Sequence, residues 1–380
     1  MSHDALPAPF VIVGGGVAGT AAAFALRDAW YEAPIVLISD EPALPYRRSP
    51  LSMGYLRGES DWPELLARPA AAYRDRGIDL LLGARAQRVD PVRRVVEVRG
   101  HGPIRYDRLL LATESGETQP PLPGALRVRS IHDADRLRAA ARPGRHAIVV
   151  GAGRTGSEVA TSLAVMGLGV TLLERRAAPL STFGPAASRW LAARACAMGI
   201  NVQTEAEVFA TEATQRRHLV HTTDTTYEAD VLVDARGRTP FLSLAGDRRI
   251  GIAGDAAGAI DHPEADIGLG AQYDETWVAA LGAAAARRLI GLPFAPLPLP
   301  RRTSELFGER VVALGSPHAA DATVDLGSGA RGLWLYGRAG RFVAAVGTAD
   351  AIDVDRTGEL IRRGMALAEV HRRFIHNREW

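Results

Sequence analysis

The sequence predicts an α/β protein in which two doubly wound, parallel-sheet units are followed by a C-terminal α+β domain, and three observations carry that prediction. Phe10 to Arg27, FVIVGGGVAGTAAAFALR, runs from an apolar stretch suited to a buried strand, through a glycine loop, into an alanine-rich helix. His146 to Glu174 repeats the arrangement as HAIVVGAGRTGSEVATSLAVMGLGVTLLE. The proline-rich stretch Pro293 to Pro300 then separates both units from a last group of short strands and a helix.

In the first unit Gly14, Gly16 and Gly19 keep the G-x-G-x-x-G spacing. The first glycine permits a tight turn, the second lets backbone approach a pyrophosphate, and the third lets helix pack closely on strand, with the helix N-terminus aimed at the anion. A second apolar run, Ile35 to Ser39, ends at Asp40 and Glu41, 21 and 22 residues past Gly19, where a ribose hydroxyl needs a carboxylate. Pro42 to Met53 is punctuated by prolines and cannot be helical throughout; its Arg47 and Arg48 can reach pyrophosphate oxygens from the side opposite the loop. A helix is expected from Trp62 to Asp75, then short strands at Ile78–Leu82, Arg85–Asp90 and Arg94–Arg99, and a strand from Tyr106 to Thr113 that returns to the central sheet. Gln119 to Gly124, QPPLPG, marks the first domain boundary.

The second unit carries Gly151, Gly153 and Gly156, a helix, and a strand Val170–Leu173 ending at Glu174, 18 residues beyond Gly156. Two complete units imply two nucleotides, one per domain. Glu174 suits a free 2′-hydroxyl and repels a 2′-phosphate, which favours NADH over NADPH, although Arg175 and Arg176 beside it can accommodate a phosphate. A helix follows from Trp190 to Met198, with strands at Asn201–Glu205, Glu207–Ala210, His218–Thr222 and Asp230–Asp234. Arg236 to Pro240 loops back to the first unit, where Ile250 to Asp255 reads as a strand ending in Gly-Asp, with Asp255 placed to hold a sugar-like hydroxyl. Thr276 to Ile290 is a helix, and the last domain has strands at Val311–Leu314, Leu333–Tyr336 and Phe342–Val346 before a helix from Gly358 to about Ile375.

Composition excludes several chemistries. All 45 basic residues are arginine, so without a lysine no side-chain Schiff base can form. Cys196 is the single cysteine, which rules out a Cys-x-x-Cys redox pair, an internal disulfide and a cysteine metal cluster; in its alanine-rich helix it reads as a small buried hydrophobe. No metal site is expected. A formal charge of +2 provides no strong field for nucleic acid or membrane. The N-terminal residues carry no secretory pattern and no run of about 18 apolar residues occurs, so a cytoplasmic location is expected.

Together these pieces resemble, over nearly the whole chain, the two-dinucleotide FAD/NAD(P) oxidoreductases, and specifically the ferredoxin and rubredoxin reductases that serve Rieske oxygenases and cytochromes P450. The resemblance is carried by Val11–Gly19, Asp40-Glu41, Pro45-Tyr46 through Arg48, Pro50-Leu51-Ser52, Tyr106–Thr113, Arg129 with Asp133-Ala134 and Leu137, Gly151–Glu158, Gly254-Asp255 and Glu275-Thr276-Trp277. It implies two Rossmann-type three-layer dinucleotide-binding domains: an FAD domain from residues 1–115 and 238–293, and an NAD(P) domain from 116–237. Residues 294–380 would form a C-terminal α+β domain covering the flavin. Position by position, it implies that Gly14, Gly16 and Gly19 cradle the FAD pyrophosphate and that Glu41 or Asp40 holds the adenosine ribose. Arg48, Thr113 and Arg129 would contact FAD, and Asp255 its ribityl chain. Gly151, Gly153, Gly156 and Glu174 would hold NADH, while Glu158, Trp277 and position 53 would meet at the nicotinamide and flavin rings. Electrons would then pass from NADH through FAD to a small 2Fe–2S ferredoxin-type protein or another electron acceptor, from a monomer or homodimer.

Four departures cluster at the flavin-ring position. The lysine of the family's Pro-Pro-Leu-Ser-Lys is Met53, which leaves the buried partner Glu158 without its cation, at a cost of roughly 3–5 kcal/mol unless the site is wet, an arginine such as Arg154 replaces it, or the pocket binds something else. Glu114 stands in place of a glycine, only 13 residues (241–253) separate Pro240 from Gly254, and Arg302 to Leu306 replaces Phe-Trp-Ser-Asp-Gln. These departures motivate an alternative reading: a diverged nucleotide-binding homologue with a non-redox or biosynthetic role and no ordinary reductase turnover.

Overall fold

The structure, a computed structural model, describes residues 7–113, 116–117, 119–214, 217–239, 247–254, 274–317, 320–327 and 331–377. The first unit opens with β1 (Phe10–Val13), α1 (Val17–Asp28) and β2 (Ile35–Ile38), then three short helices, α2 (Gly54–Arg57), α3 (Trp62–Leu65) and α4 (Ala70–Asp75), and β3 (Ile78–Leu81). An antiparallel meander of β4 (Ala86–Asp90), β5 (Val95–Val98) and β6 (Gly102–Arg105) leads into β7 (Arg108–Leu111).

The chain crosses to the second unit through β8 (Gly116–Glu117) and α5 (Ile131–Ala140). That unit repeats the order: β9 (His146–Val150), α6 (Arg154–Val165), β10 (Gly169–Leu173), α7 (Pro185–Ala197) and β11 (Asn201–Gln203). Its own meander, β12 (Val208–Ala213), β13 (His218–Thr222) and β14 (Thr226–Ala229), leads into β15 (Val231–Asp234). The return crossing, β16 (Arg238–Thr239), pairs antiparallel with β8, so both crossings run together. β17 (Ile250–Ile252) and α8 (Glu275–Leu289) complete the first unit.

All strands in the two central sheets are parallel, in the orders β17-β7-β1-β2-β3 and β11-β10-β9-β15. Alternation along each strand builds the three layers. Phe10 and Ile12 join the cluster formed with α1, while Val11 and Val13 join the one formed with the meander. In the second unit Val149 faces the α6 and α7 side, and Ile148 and Val150 face the meander side. Burial on both faces is why these strands read as continuous apolar runs.

The last domain is a five-stranded antiparallel sheet ordered β18 (Arg301–Leu306), β19 (Glu309–Gly315), β22 (Arg341–Thr348), β21 (Leu333–Arg338) and β20 (Ala322–Asp325). One face packs under α9 (Val354–Arg362) and α10 (Leu367–Asn377); the other shares a core with α6 and α7 through Leu306, Phe307, Trp334 and Tyr336.

Four local expectations are corrected. The helix expected over Trp62–Asp75 is two helices, because Leu66 pairs with Tyr46, Ala67 N–H donates to Pro45 O at 2.9 Å, and Pro69 holds the chain extended before α4. The final helix is also divided: Gly364 turns in the left-handed region at φ +60°, and Leu367 N–H and Met365 O bond the β21–β22 hairpin. Helix α7 begins at Pro185 rather than Trp190, and Cys196 is exposed, since α7 buries Ala187, Leu191 and Ala195 and the residue after Ala195 points about 100° away. Strands β6, β14, β18 and β20 were not expected; their residues carry too many polar or small side chains for an apolar run.

α1 and α8 cross closely at Gly282, where an added Cβ would lie 2.1 Å from Ala18 O. Alanine in place of glycine in an open helix stabilises by about 1 kcal/mol. Here the sign reverses: Gly282→Ala is expected to destabilise the protein by about 1–3 kcal/mol, read as a lower denaturation midpoint at unchanged slope.

Candidate functional site

Both glycine loops sit at the carboxyl ends of parallel strands, the position where doubly wound sheets bind ligands. Each is closed by the same contacts. A Cβ on Gly14 would lie 2.2 Å from Ala112 O, and one on Gly19 would lie 2.0 Å from Gly14 O. In the second unit Gly151 and Gly156 repeat this at 2.7 Å from Ala235 O and 1.8 Å from Gly151 O. The middle glycines differ: nothing lies within 4 Å of a Cβ on Gly16 or Gly153. Each is the N-cap of its helix and carries no side chain to cap the first turn, so the N-termini of α1 and α6 open onto that space. Open space at a helix N-terminus, with glycine at its mouth, fits a pyrophosphate at both loops.

Around the first cradle the structure brings together Glu41, Arg48 and the Arg129 backbone. Glu41 accepts from Tyr46 Oη at 2.6 Å and from Arg48 Nη2 at 2.7 Å, and Arg48 Nη1 donates to Arg129 O at 3.1 Å. Each Glu41 oxygen keeps a lone pair for a further donor. Tyr46, not singled out for a role from sequence, is pushed above its usual phenol range by burial and then by its bond to Glu41, and it also accepts from Ile131 N–H at 3.0 Å. Asp40 is exposed, and Arg47 points away to Glu64 O and Glu275. Thr113 lies beside the loop, its N–H 2.9 Å from the Gly14 Cβ position. Asp255 and Glu114 lie outside the described residues.

Glu174 braces the second loop from below, accepting from Ala152 N–H at 2.9 Å and Arg176 N–H at 3.0 Å. The Arg176 side chain turns to Ser181 Oγ at 3.1 Å, and Arg175 is exposed.

Glu158, on α6, faces the first unit and is 1% exposed, so the position is not wet. It is partnered by Ser52 Oγ at 2.6 Å and, less closely, by Arg154 Nη1 at 3.4 Å. Ser52 is the functional candidate that sequence reasoning missed; it was visible only as part of Pro50-Leu51-Ser52. Met53 follows it, half-buried, at the end of the 3₁₀ turn Ser49–Ser52. Trp277 is reached from another element, buried in the first turn of α8, where Asp274 caps its N–H at 3.1 Å and pairs with Arg301. The substituted segment Arg302 to Leu306 is strand β18, with Arg302 and Leu306 buried and Glu305 outward on Arg57 at 2.6 Å. Among the described residues no His, Cys, Asp and Glu cluster has metal-ligand geometry.

Two such cradles on two parallel sheets define a protein of the two-dinucleotide class. The family model described as pyridine nucleotide-disulphide oxidoreductase matches residues 8–277, and the chain belongs to that family. It is 31% identical over 327 residues to the biphenyl dioxygenase system ferredoxin–NAD(+) reductase component of Paraburkholderia xenovorans (strain LB400), covering 80% of each chain. It is 32% identical over 243 residues to rhodocoxin reductase of Rhodococcus erythropolis, covering 62% of this chain and 57% of that one. The fold superposes on the covalent putidaredoxin reductase–putidaredoxin complex with a TM-score of 0.85 at 23% identity, over 94% of both chains. The resemblance read from the sequence to the ferredoxin and rubredoxin reductases is thus borne out. The dithiol in the family's description has no counterpart in a chain with one cysteine.

The open space at the middle glycines separates folding from binding. Gly16→Val is expected to keep the fold to within about 1 kcal/mol and to be purified without bound flavin absorbance. Gly153→Val is expected to keep the flavin and to weaken NADH binding by an order of magnitude or more in a calorimetric titration.

Proposed function

We infer that the chain is an NADH-dependent flavoprotein reductase that delivers electrons to a small 2Fe–2S ferredoxin-type protein. The observation that carries this reading is the contact between the two units at Ser52 and Glu158, 2.6 Å apart, which brings a turn leading away from the first cradle against the helix that rises from the second. The relatives are reductase components that by name pair NAD(+) with ferredoxin or serve rhodocoxin, and the fit of both cradles to pyrophosphate supports FAD in the first and NADH in the second.

When bound, FAD accepts a hydride and releases its two electrons singly. The chain's residues bind and orient. Gly14, Gly16 and Gly19 with the α1 N-terminus take the FAD phosphates, and Glu41, held by Tyr46 and Arg48, takes the ribose. Gly151, Gly153 and Gly156 with α6 take the NADH phosphates. Glu174, already bound to two backbone N–H groups, keeps lone pairs for a ribose hydroxyl, which favours NADH over NADPH. Glu158, Met53 and Trp277 would stand where the nicotinamide and flavin rings meet.

The paired crossings β8 and β16 support domain boundaries near residues 115 and 237, with FAD domain 1–115 and 238–293, NAD(P) domain 116–237 and C-terminal domain 294–380. Among the described residues no helix is long and apolar enough to cross a membrane, and the single cysteine suits a reducing cytoplasm. The alternative of a non-redox homologue drew on four departures at the flavin-ring position; for the one at Met53, Ser52 and Arg154 supply the partners that Glu158 would otherwise lack.

Supplied with NADH and a 2Fe–2S ferredoxin coupled to cytochrome c, the purified protein is expected to sustain cytochrome reduction that stops when the ferredoxin is left out. Reduction that proceeds equally without ferredoxin contradicts the acceptor assignment. Met53→Lys, which adds a cation one residue from the serine bonded to Glu158, favours the reduced, more negative flavin, so the flavin midpoint potential is expected to rise in a spectroelectrochemical titration.

A further inference from the structure

Glu158 is a carboxylate in an almost fully buried position whose best partner is neutral. The Ser52 hydroxyl donates to Glu158 Oε2 at 2.6 Å across 106 residues of sequence, with Ser52 itself 4% exposed. Arg154 Nη1 stands 3.4 Å from the other oxygen, beyond the usual 2.7–2.9 Å of a charge-assisted bond. Ser49 O lies 3.4 Å from the same hydroxyl, but a hydroxyl has one proton, and the shorter bond to a charged acceptor takes it.

Ser52 is itself held. Its carbonyl accepts from Ser162 Oγ at 2.7 Å, and Ser162 Oγ accepts from Arg57 Nη1 at 3.2 Å. The Arg57 guanidinium is raised in pKa chiefly by its hydrogen bond to Glu59, and it also bonds Glu305 of β18 at 2.6 Å. A continuous series of bonds therefore ties the C-terminal sheet and α2 to the Ser52 turn, and the turn to the carboxylate on α6.

We propose that Ser52 is the positioning residue for Glu158: its hydroxyl fixes the carboxylate at the ring cleft, the task for which a lysine-free chain has no ammonium group. The inference rests on the reductase reading, since the cleft it orders is the one between nicotinamide and flavin. A serine fixes direction without neutralising charge.

The test is a double-mutant cycle on the holoprotein with Ser52→Ala, Glu158→Ala, the double variant and Ser52→Thr. It is read in two ways, by the rate of anaerobic flavin bleaching with NADH and by melting temperature. Loss of a hydrogen bond to a charged group is expected to slow bleaching about tenfold in Ser52→Ala. The double variant is expected to bleach at the rate of Glu158→Ala alone, and Ser52→Thr to recover most of the parent rate. The proposal is overturned if Ser52→Ala slows the Glu158→Ala protein by the same factor as the parent, or leaves the parent rate unchanged. Melting temperatures give an independent answer: Ser52→Ala should lower that of the parent and leave that of Glu158→Ala unchanged, and equal losses in both overturn it. A parent whose flavin NADH never bleaches refutes the reductase reading instead, with the melting cycle still deciding whether the two side chains act together.

Discussion

Everything in this molecule hangs from two places where a helix comes so near a strand-end loop that no Cβ fits between them. At Gly19 and Gly156 an added Cβ would lie 2.0 and 1.8 Å from the carbonyl oxygen of the loop's own first glycine. That approach forces α1 and α6 to start directly over their sheets, with their N-termini turned to the open space at Gly16 and Gly153. Binding capacity is thus a by-product of packing, and the same packing is performed twice, on sheets that share the four-strand order β7-β1-β2-β3 and β15-β9-β10-β11.

Between the cradles lies a junction made of polar side chains buried by three bodies at once. Thr161 accepts from Phe307 N–H at 3.0 Å, Ser162 holds the Ser52 carbonyl, and Glu158 takes the Ser52 hydroxyl, so one face of α6 is bonded to both the C-terminal sheet and the first unit. Burying a carboxylate here carries a large desolvation cost unless each oxygen finds a donor. The Ser52 and Arg154 contacts meet that requirement without lysine. The substituted strand Arg302–Leu306 joins the same junction through Glu305 and Arg57, and its Leu306 side chain enters the core shared with α6.

The sequence made the two cradles legible because each depends on backbone geometry that only glycine provides and on apolar runs that only a sheet buried on both faces tolerates. Glu41 and Glu174 followed from their distance to those glycines, and Arg48 from the resemblance carried by Pro45 to Arg48. What was not legible follows from contacts between distant segments. Ser52 and Glu158 are 106 residues apart, and nothing local in a serine says that it faces a carboxylate. The breaks at Leu66–Pro69 and Gly364 arise because the chain is drawn into bonds with Pro45 and with the β21–β22 hairpin, and tertiary bonding of that kind overrides helix propensity. Cys196 was misread because small residues surround it on all sides of α7, leaving no apolar stripe to show which face turns inward.

The most direct test of the account is an anaerobic titration of the purified yellow protein with NADH, followed through the visible flavin band. If the two cradles hold FAD and NADH across the Ser52–Glu158 junction, a single equivalent of NADH per bound flavin bleaches the band completely. A flavin spectrum left unchanged by excess NADH contradicts it.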